Sequence, residues 1–254
     1  MKKTLLITGA LLGTLLAFAA PVFAQGEANV AWVECVLDPT ATQNRNNFCT
    51  STAGSNIMVC SFVPPVNVPL YIGFNGVLDV QTSAGGGVLS PWWRFDLPAA
   101  GSCHGSRLSS DANFTAATGA CTDFFLGGAS GGGNYSTPSP TVLPPSARIK
   151  EIWAIPETGA GPILAGTQYY ACKISISNGM NAGFTLPNCP GCLDKACIVL
   201  QNINVGQPAP AVDIPIVGGA QNFITWQGGT GATICPQATP THSSTWGSVK
   251  ALYR

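Results

Sequence analysis

Three cysteines lie close together in the segment NCPGCLDKACIV, at Cys189, Cys192 and Cys197. Thiols at such spacing occur in thioredoxin-type redox centres, in zinc or iron–sulfur sites and in disulfide frameworks. A redox CxxC motif sits where a strand meets a helix N-terminus, but here only residues 193–196 precede a β-branched, strand-like segment. The two histidines that could complete a metal site are far away in sequence. The pattern favours disulfides and leaves the redox centre and the metal site as alternatives.

The other cysteines support this interpretation, because the chain has ten in all and every one follows the apolar N-terminus. An even number in an exported chain indicates a disulfide framework. We therefore predict disulfides and no metal site at Cys35, Cys49, Cys60, Cys103, Cys121, Cys172, Cys189, Cys192, Cys197 and Cys235. The connectivity cannot be read from the sequence, although near neighbours such as Cys49 with Cys60, or Cys103 with Cys121, are our expected pairs.

A serine nucleophile is a further candidate for chemistry, because the segment GASGG matches the G-x-S-x-G elbow around Ser130. The chain order of Ser130, then Asp194 or Asp213, then His242 also matches that of α/β-hydrolases. An elbow needs a strand before the serine and a helix after it, whereas glycine and NYSTPSP follow here. We predict no catalytic residues, place His104 and His242 at the surface or in loops, and keep a secreted serine hydrolase as an alternative.

The adjacent pair Trp92 and Trp93 is the best indication of a ligand. Neighbouring residues of a strand point to opposite faces, so one tryptophan can fill the core while the other is exposed. An exposed indole is a natural platform for a sugar or a partner surface. The alternative is that both rings are buried, as we expect for Trp32, Trp153 and Trp226.

The N-terminus predicts export. Lys2 and Lys3 precede an uncharged apolar run, and the sequence VFA ends at residue 24 in the pattern of a signal-peptide cleavage site. We therefore predict a signal peptide over residues 1–24, no membrane span after its cleavage, and a secreted, extracellular or cell-surface protein, with the periplasm as an alternative. The apolar run is shorter than the roughly 20 residues that a membrane helix needs.

Charge is scarce in this chain. Charged residues make up 9% of the sequence, with eleven basic and eleven acidic residues, against about 25% in typical domains. No basic stripe is present that could neutralise phosphates, so we predict no nucleic-acid partner. Low charge weakens repulsion between copies and favours association.

The sequence predicts that the elements positioning these residues are short strands separated by turns. ACKISISN alternates buried and solvent-facing positions, and Asn75-Gly76 in YIGFNGVLDV is typical of a two-residue hairpin. Further strands are predicted in IMVCSFV, PWWRFDL, ARIKEIWAI, CIVLQNINV and NFITWQGG. The pattern predicts an all-β fold, an antiparallel β-sandwich or jelly roll held by disulfides.

We expect a single β-sandwich domain over residues 25–240. Residues 127–145 are rich in Gly and Pro and are predicted to form a long loop, with an interdomain linker as the alternative. Residues 241–254 form a tail in which Trp246, Val249 and Leu252 have helical spacing. A short C-terminal helix is therefore predicted.

The segments CPGCLDKACIVLQNINV and ARIKEIWAIPE and the ending TWGSVKALYR resemble parts of uncharacterised secreted proteins from uncultured environmental bacteria. The shared patterns are CxGCxxxxCIVL and TWGxxKxLYR. The resemblance covers most of the chain after residue 24 and implies export. It assigns no activity and no functional residue.

Taken together, these features predict a non-catalytic structural or adhesive protein of the cell surface or extracellular matrix. We expect self-association, or an extracellular protein or glycan partner, and no cofactor. A carbohydrate-binding module using Trp92 or Trp93 is the first alternative.

Overall fold

The computed structural model describes residues 26–83, 87–96, 103–114, 120–138, 145–179 and 189–229. Its strands are β1 Glu27–Trp32, β2 Asn44–Arg45, β3 Ser55–Val63, β4 Val68–Tyr71, β5 Gly73–Thr82, β6 Leu108–Asp111, β7 Ser130–Ser136, β8 Ser146–Ala154, β9 Gly161–Ile163, β10 Tyr169–Ser177, β11 Ala196–Gly206, β12 Ile214–Val217 and β13 Phe223–Trp226. Short 3-10 turns lie at Pro91–Trp93 and Glu157–Gly159. The predicted signal peptide, the C-terminal helix, Cys235 and His242 lie outside the described residues.

The strands form three sheets. One has the order β1-β3-β10-β6, and a second has the order β2-β13-β11-β5-β8-β7 with β12 added beside β11. The third is the small pair β4-β9. Neighbouring strands are antiparallel except for β13 and β2, which are parallel. The all-β prediction is confirmed, as is the predominance of antiparallel pairing.

The alternating pattern of β10 places its side chains as the sequence predicts. Cys172, Ile174 and Ile176 are buried, whereas Lys173 and Ser175 are half-exposed. The predicted strands IMVCSFV, ARIKEIWAI, CIVLQNINV and NFITWQGG are found in β3, β8, β11 and β13. Period-two burial and β-branched residues are thus sufficient to identify the strands that face the core.

The hairpin predicted at Asn75-Gly76 is wrong, because β5 runs straight through both residues. β5 pairs with β8 on one side and with β11 on the other, so Asn75 lies opposite both Ile152 and Asn204. The Asn204 amide nitrogen donates to the Asn75 side-chain oxygen at 2.8 Å. Pairing on both sides of the strand therefore overrides the local turn preference.

The segment predicted as a loop over residues 127–145 contains a strand, so that prediction is also wrong over Ser130–Ser136. β7 pairs with β8 along its whole length. A side chain at Gly133 would place its Cβ 2.3 Å from Glu151 Oε1 on β8. Glycine at position 133 leaves room for the buried Glu151 carboxylate and does not serve as a flexible connection. β5, which precedes this segment, and β8, which follows it, are neighbours in one sheet.

The core is continuous across the two larger sheets and rich in aromatic rings. One cluster of buried residues includes Trp32 from β1, Phe62 from β3, Leu78 from β5 and Trp226 from β13. The Trp32 and Trp226 rings lie 5.9 Å apart, within the usual range for aromatic pairs. The prediction that Trp32, Trp153 and Trp226 are core residues is confirmed.

A buried ion pair crosses the larger sheet at Asp79 and Arg148, which face each other on β5 and β8. Arg148 donates from Nε to Asp79 Oδ1 at 2.9 Å and from Nη2 to Oδ2 at 2.8 Å. The Asp79 side chain is 2% exposed and that of Arg148 is 13% exposed. The Asp79 carboxylate raises the pKa of Arg148. Removing one partner would leave the other charge buried without its counter-ion.

We expect Asp79→Asn to lower the free energy of unfolding by about 3–5 kcal/mol, because it leaves the Arg148 guanidinium without a carboxylate. Urea unfolding at pH 7, followed by tryptophan fluorescence, measures the change. Asp96→Asn is the matched control, since Asp96 pairs with Arg94 at a more exposed position and should cost about 1 kcal/mol or less. Equal losses in the two variants would contradict the expectation.

Candidate functional site

The CPGC turn, residues 189–192, carries two disulfides to distant parts of the chain. Cys189 is bonded to Cys103 and Cys192 to Cys49, across sequence separations of 86 and 143. Gly191 has a φ of +109°, and a Cβ there would lie 2.0 Å from the Ser90 hydroxyl oxygen. Only glycine fits this position. The CxxC motif is therefore a pair of long-range staples, and a redox dithiol within the motif is ruled out.

The remaining cysteines divide into bonded and free ones. Cys35 is bonded to Cys121, and Cys197 is also disulfide-bonded. The expected pairing of near neighbours is wrong, since Cys49 and Cys103 each join the CPGC turn. Cys60 and Cys172 are free thiols in the structure, which differs from the prediction that every cysteine is bridged.

The tryptophan cluster, formed by Trp32, Trp92, Trp93 and Trp226, packs directly against this turn. The Trp92 ring stacks on Trp226 at 5.0 Å, and Trp93 meets Trp226 edge-on at 5.8 Å. The Trp226 indole nitrogen donates to the Cys192 carbonyl oxygen at 2.6 Å. The Trp92 backbone N–H donates to the Pro190 carbonyl oxygen at 3.0 Å.

The prediction of an exposed tryptophan platform is wrong, because Trp92 and Trp93 are both 0% exposed. PWW forms a 3-10 turn rather than a strand, so the two rings are not required to point to opposite faces. Pro91 begins the turn, and the Arg94 N–H donates to its carbonyl oxygen. Both indoles are therefore structural parts of the core.

His104 lies beside this cluster in a turn, which agrees with its prediction as a loop residue. It is fully buried, so it is not a surface residue. Its ring stacks on Trp92 at 4.6 Å. Nδ1 lies 2.8 Å from the Trp92 carbonyl oxygen, and Nε2 lies 2.8 Å from that of Ser177. Burial lowers the pKa of His104 to about 4, while the two carbonyl groups act in the opposite direction. The imidazole links the tryptophan cluster to the end of β10.

The nucleophile-elbow geometry is wrong for Ser130. Ser130 is the first residue of β7, and the strand continues to Ser136 without a helix. Both ring nitrogens of the buried His104 lie within hydrogen-bond distance of backbone carbonyl oxygens, so neither is available as a base for Ser130. His242 lies outside the described residues. Nothing in the described geometry supplies Ser130 with the strand–turn–helix that the elbow needs.

The feature best suited to contact with a partner is the outer edge of β7. β7 is the terminal strand of the larger sheet, and it pairs with β8 alone among the described strands. Six of its seven residues are exposed, and the seventh, Tyr135, is half-buried. Tyr135 is held by a hydrogen bond from its hydroxyl to the Trp93 carbonyl oxygen. The edge is thus anchored from inside, and within the described ranges its outer side has no strand partner.

The other sheet edges in the described ranges are shorter or covered. β2 has two residues and β6 has four. β1 is flanked by additional backbone contacts, since the Val30 N–H donates to the Gln221 carbonyl oxygen and Ala28 bridges to Gly218. Natural proteins protect edges with charge, proline, bulges or short length. SGGGNYS, the sequence of β7, has no charged residue and no proline.

A shallow groove of about 440 Å³ lies on the face of the sheet that β5 and β8 share, and β8 is the strand that pairs with β7. Its lining includes Asn75, Lys150, Ile152, Gln207 and Asp213. Ile152 is 62% exposed there and lies opposite the bare backbone of Gly132. Sequence reasoning missed both features, although the run of glycine and small polar residues in β7 was the available signal for a weakly protected strand.

Neither metal ligands nor relatives add chemistry to this description. No group of three or more potential metal ligands occurs within the described part of the chain. Among the same residues, no helix has the length and apolar character to cross a membrane. No protein-family model, curated protein or solved structure matches the chain.

The burial of His104 predicts a loss of stability in mild acid. The unfolded histidine has an ordinary pKa of about 6.5, whereas the pKa in the folded protein is about 4. The unfolded state therefore binds more protons between these values, so stability is full above pH 6.5 and falls as the pH drops toward 4. The loss from this residue approaches about 3 kcal/mol.

We expect His104→Gln, which retains a hydrogen-bond donor but does not titrate, to flatten this dependence. Urea unfolding of the parent and the variant at several pH values between 7 and 4.5 provides the comparison. Carboxylates contribute to both proteins, so the difference between the two slopes isolates the histidine. Identical slopes for the two proteins would show that His104 does not titrate as its burial requires.

Proposed function

We propose that this protein is a non-catalytic structural or adhesive component outside the cytoplasm, a disulfide-stapled β-sandwich that associates with further copies of itself. Three described disulfides are compatible with a location outside the reducing cytoplasm. Two of the covalent bonds hold the CPGC turn against a buried aromatic core. A rigid body of this kind is suited to maintaining contacts rather than to moving around a reacting substrate.

The observation that carries the proposal is the outer edge of β7, with which no other strand of the described ranges pairs. An exposed strand edge presents a row of unpaired N–H and C=O groups that a further strand can complete. Seven consecutive residues, Ser130–Ser136, offer this row without charge or proline.

A second copy of the same chain is the partner that fits best. Without residues 1–24, which contain Lys2 and Lys3, the chain has nine basic and eleven acidic residues, so two copies carry little net charge and repel each other weakly. Antiparallel pairing of β7 with β7 is self-complementary and closes into a two-fold dimer. The β7-containing sheets of the two copies then become one continuous sheet.

The alternatives have less support. The carbohydrate-binding hypothesis needs an exposed ring at Trp92 or Trp93, and both rings are buried. The serine-hydrolase hypothesis needs a turn and a helix after Ser130, where the chain continues as a strand. A protein partner other than a second copy would use the same edge and is distinguished by the experiment below.

The test is sedimentation velocity of the oxidised protein over a wide concentration range. We expect a monomer–dimer equilibrium in which the dimer fraction increases with concentration. In an antiparallel pair of β7 strands centred on Gly133, residue 132 of one copy lies opposite residue 134 of the other. A Gly132→Lys/Asn134→Lys variant then places like charges face to face, and we expect at least a tenfold weaker association.

Position 132 is suitable for this change, because a Cβ on Gly132 meets nothing within 4 Å. Thr52→Lys, at an exposed loop position, is the control for added charge and should associate like the parent. A Gly132→Asp/Asn134→Asp variant should also be monomeric, and mixing it with the lysine variant should restore dimers. A parent that remains monomeric at the highest concentration, or lysine and aspartate variants that fail to combine, would refute association through this edge.

A further inference from the structure

Cys60 and Cys172 lie directly opposite each other on β3 and β10. They are Cα partners in the antiparallel register of these strands, just after a bulge that follows Tyr170. Each is 1% exposed, and they are the free cysteines of the described residues. Two thiols thus share the inward face of the smaller of the two main sheets.

Their arrangement meets the geometric requirement for a covalent bond. Directly opposed residues of an antiparallel pair have Cα atoms about 4.5–5.5 Å apart, which falls within the roughly 4.4–6.8 Å seen across disulfides. The two side chains already touch, since the Cys172 thiol forms a hydrogen bond with Cys60. A bond between the two sulfur atoms therefore requires no change in strand register.

We propose that Cys60 and Cys172 are an oxidisable pair that closes into a cross-strand disulfide when the chain folds in the presence of a disulfide oxidant. One thiolate attacks the oxidant and releases one thiol, which leaves a mixed disulfide on the protein. The second cysteine then displaces the other half of the oxidant. Two thiols lose their protons and two electrons in total, and the oxidant is reduced to two thiols.

Burial determines when this reaction can occur. The hydrogen bond with Cys60, burial and nearby carboxylates including Glu151 raise the pKa of Cys172, so the reactive thiolate is scarce in the folded protein. Val30 of β1 lies beside Cys60 on its other flank, and Tyr170 and Ala171 next to Cys172 are buried as well. The pair therefore reacts during folding, before the sheet closes around it, and is protected afterwards.

The bond would differ from the three disulfides whose partners are both described. Those three join turns and loops, at Cys35–Cys121, Cys49–Cys192 and Cys103–Cys189. A Cys60–Cys172 bond would join two neighbouring strands at the centre of one sheet. It would hold β3 and β10 in register even when their hydrogen bonds open.

The experiment uses the full chain, denatured, reduced and then refolded in a mixture of oxidised and reduced glutathione. Acid quenching, denaturation and alkylation with iodoacetamide are followed by non-reducing peptide mapping. We expect the peptides containing Cys60 and Cys172 to be joined, two hydrogen masses below their sum, with at least a tenfold loss of alkylation at both. Protein refolded without oxidant should carry the label on both cysteines only after denaturant is added.

Cys60→Ser provides the matched control, because it removes one sulfur and keeps a small polar side chain. In that variant Cys172 should become fully alkylated after denaturation, while the Cys49–Cys192 and Cys103–Cys189 peptides remain joined. The proposal is overturned if the parent forms those same bridges but leaves Cys60 and Cys172 alkylated. It is equally overturned if either cysteine is found joined to any other one. The parent map decides the question even if the variant does not fold.

Discussion

The packing of Trp92 against the CPGC turn is the interaction on which the rest of this structure depends. The Trp92 N–H bonds to Pro190, its carbonyl oxygen lies against His104, and its ring is stacked between His104 and Trp226. Each of these contacts connects a different part of the chain. Because Trp92 is fully buried, its backbone N–H and carbonyl groups need hydrogen-bond partners within the protein. The CPGC turn and His104 supply these partners. The two disulfides of the turn fix that arrangement covalently.

The packing of Trp92 against the disulfide-bonded CPGC turn, here called the junction, explains how a chain with so much glycine and so little charge can be stable. A bridge that closes a long loop restricts the unfolded chain and contributes typically about 2–4 kcal/mol, independently of any surface ion pair. Strands far from the junction can then have sequences that would not hold a sheet edge alone. β7 is the clearest case: its inner face is anchored by Tyr135 on Trp93, and its glycines accommodate the buried Glu151. A polar, uncharged edge is thereby held in place without side chains that would repel another copy.

The sequence predicts the strands whose burial alternates and fails where contacts distant in sequence decide the conformation. Cys172, Ile174 and Ile176 identify β10 because period two is a local property. Asn75-Gly76 has the local signature of a turn, but β8 and β11 hold it in a strand from both sides. The local sequence of PWW predicts a strand. The segment forms a 3-10 turn instead, and it contacts the CPGC turn, which is distant in sequence. The disulfide partners could not be predicted for the same reason, since Cys49 and Cys192 are 143 residues apart. Of the candidate interaction site, the low charge was evident in the sequence and the edge was not.

Three ion pairs connect charged side chains within the described residues. Asp79 and Arg148 neutralise each other between β5 and β8, and Lys173 lies 3.3 Å from Asp111 across β10 and β6. None of these pairs involves β7, whose sequence SGGGNYS has no charged residue. Backbone groups at an edge attract any strand that can align with them, and charge is the usual means of preventing this. β7 is the longest described edge, and its seven residues include neither charge nor proline, so the features that normally prevent a further strand from pairing are missing there. The self-association proposed above rests on this edge.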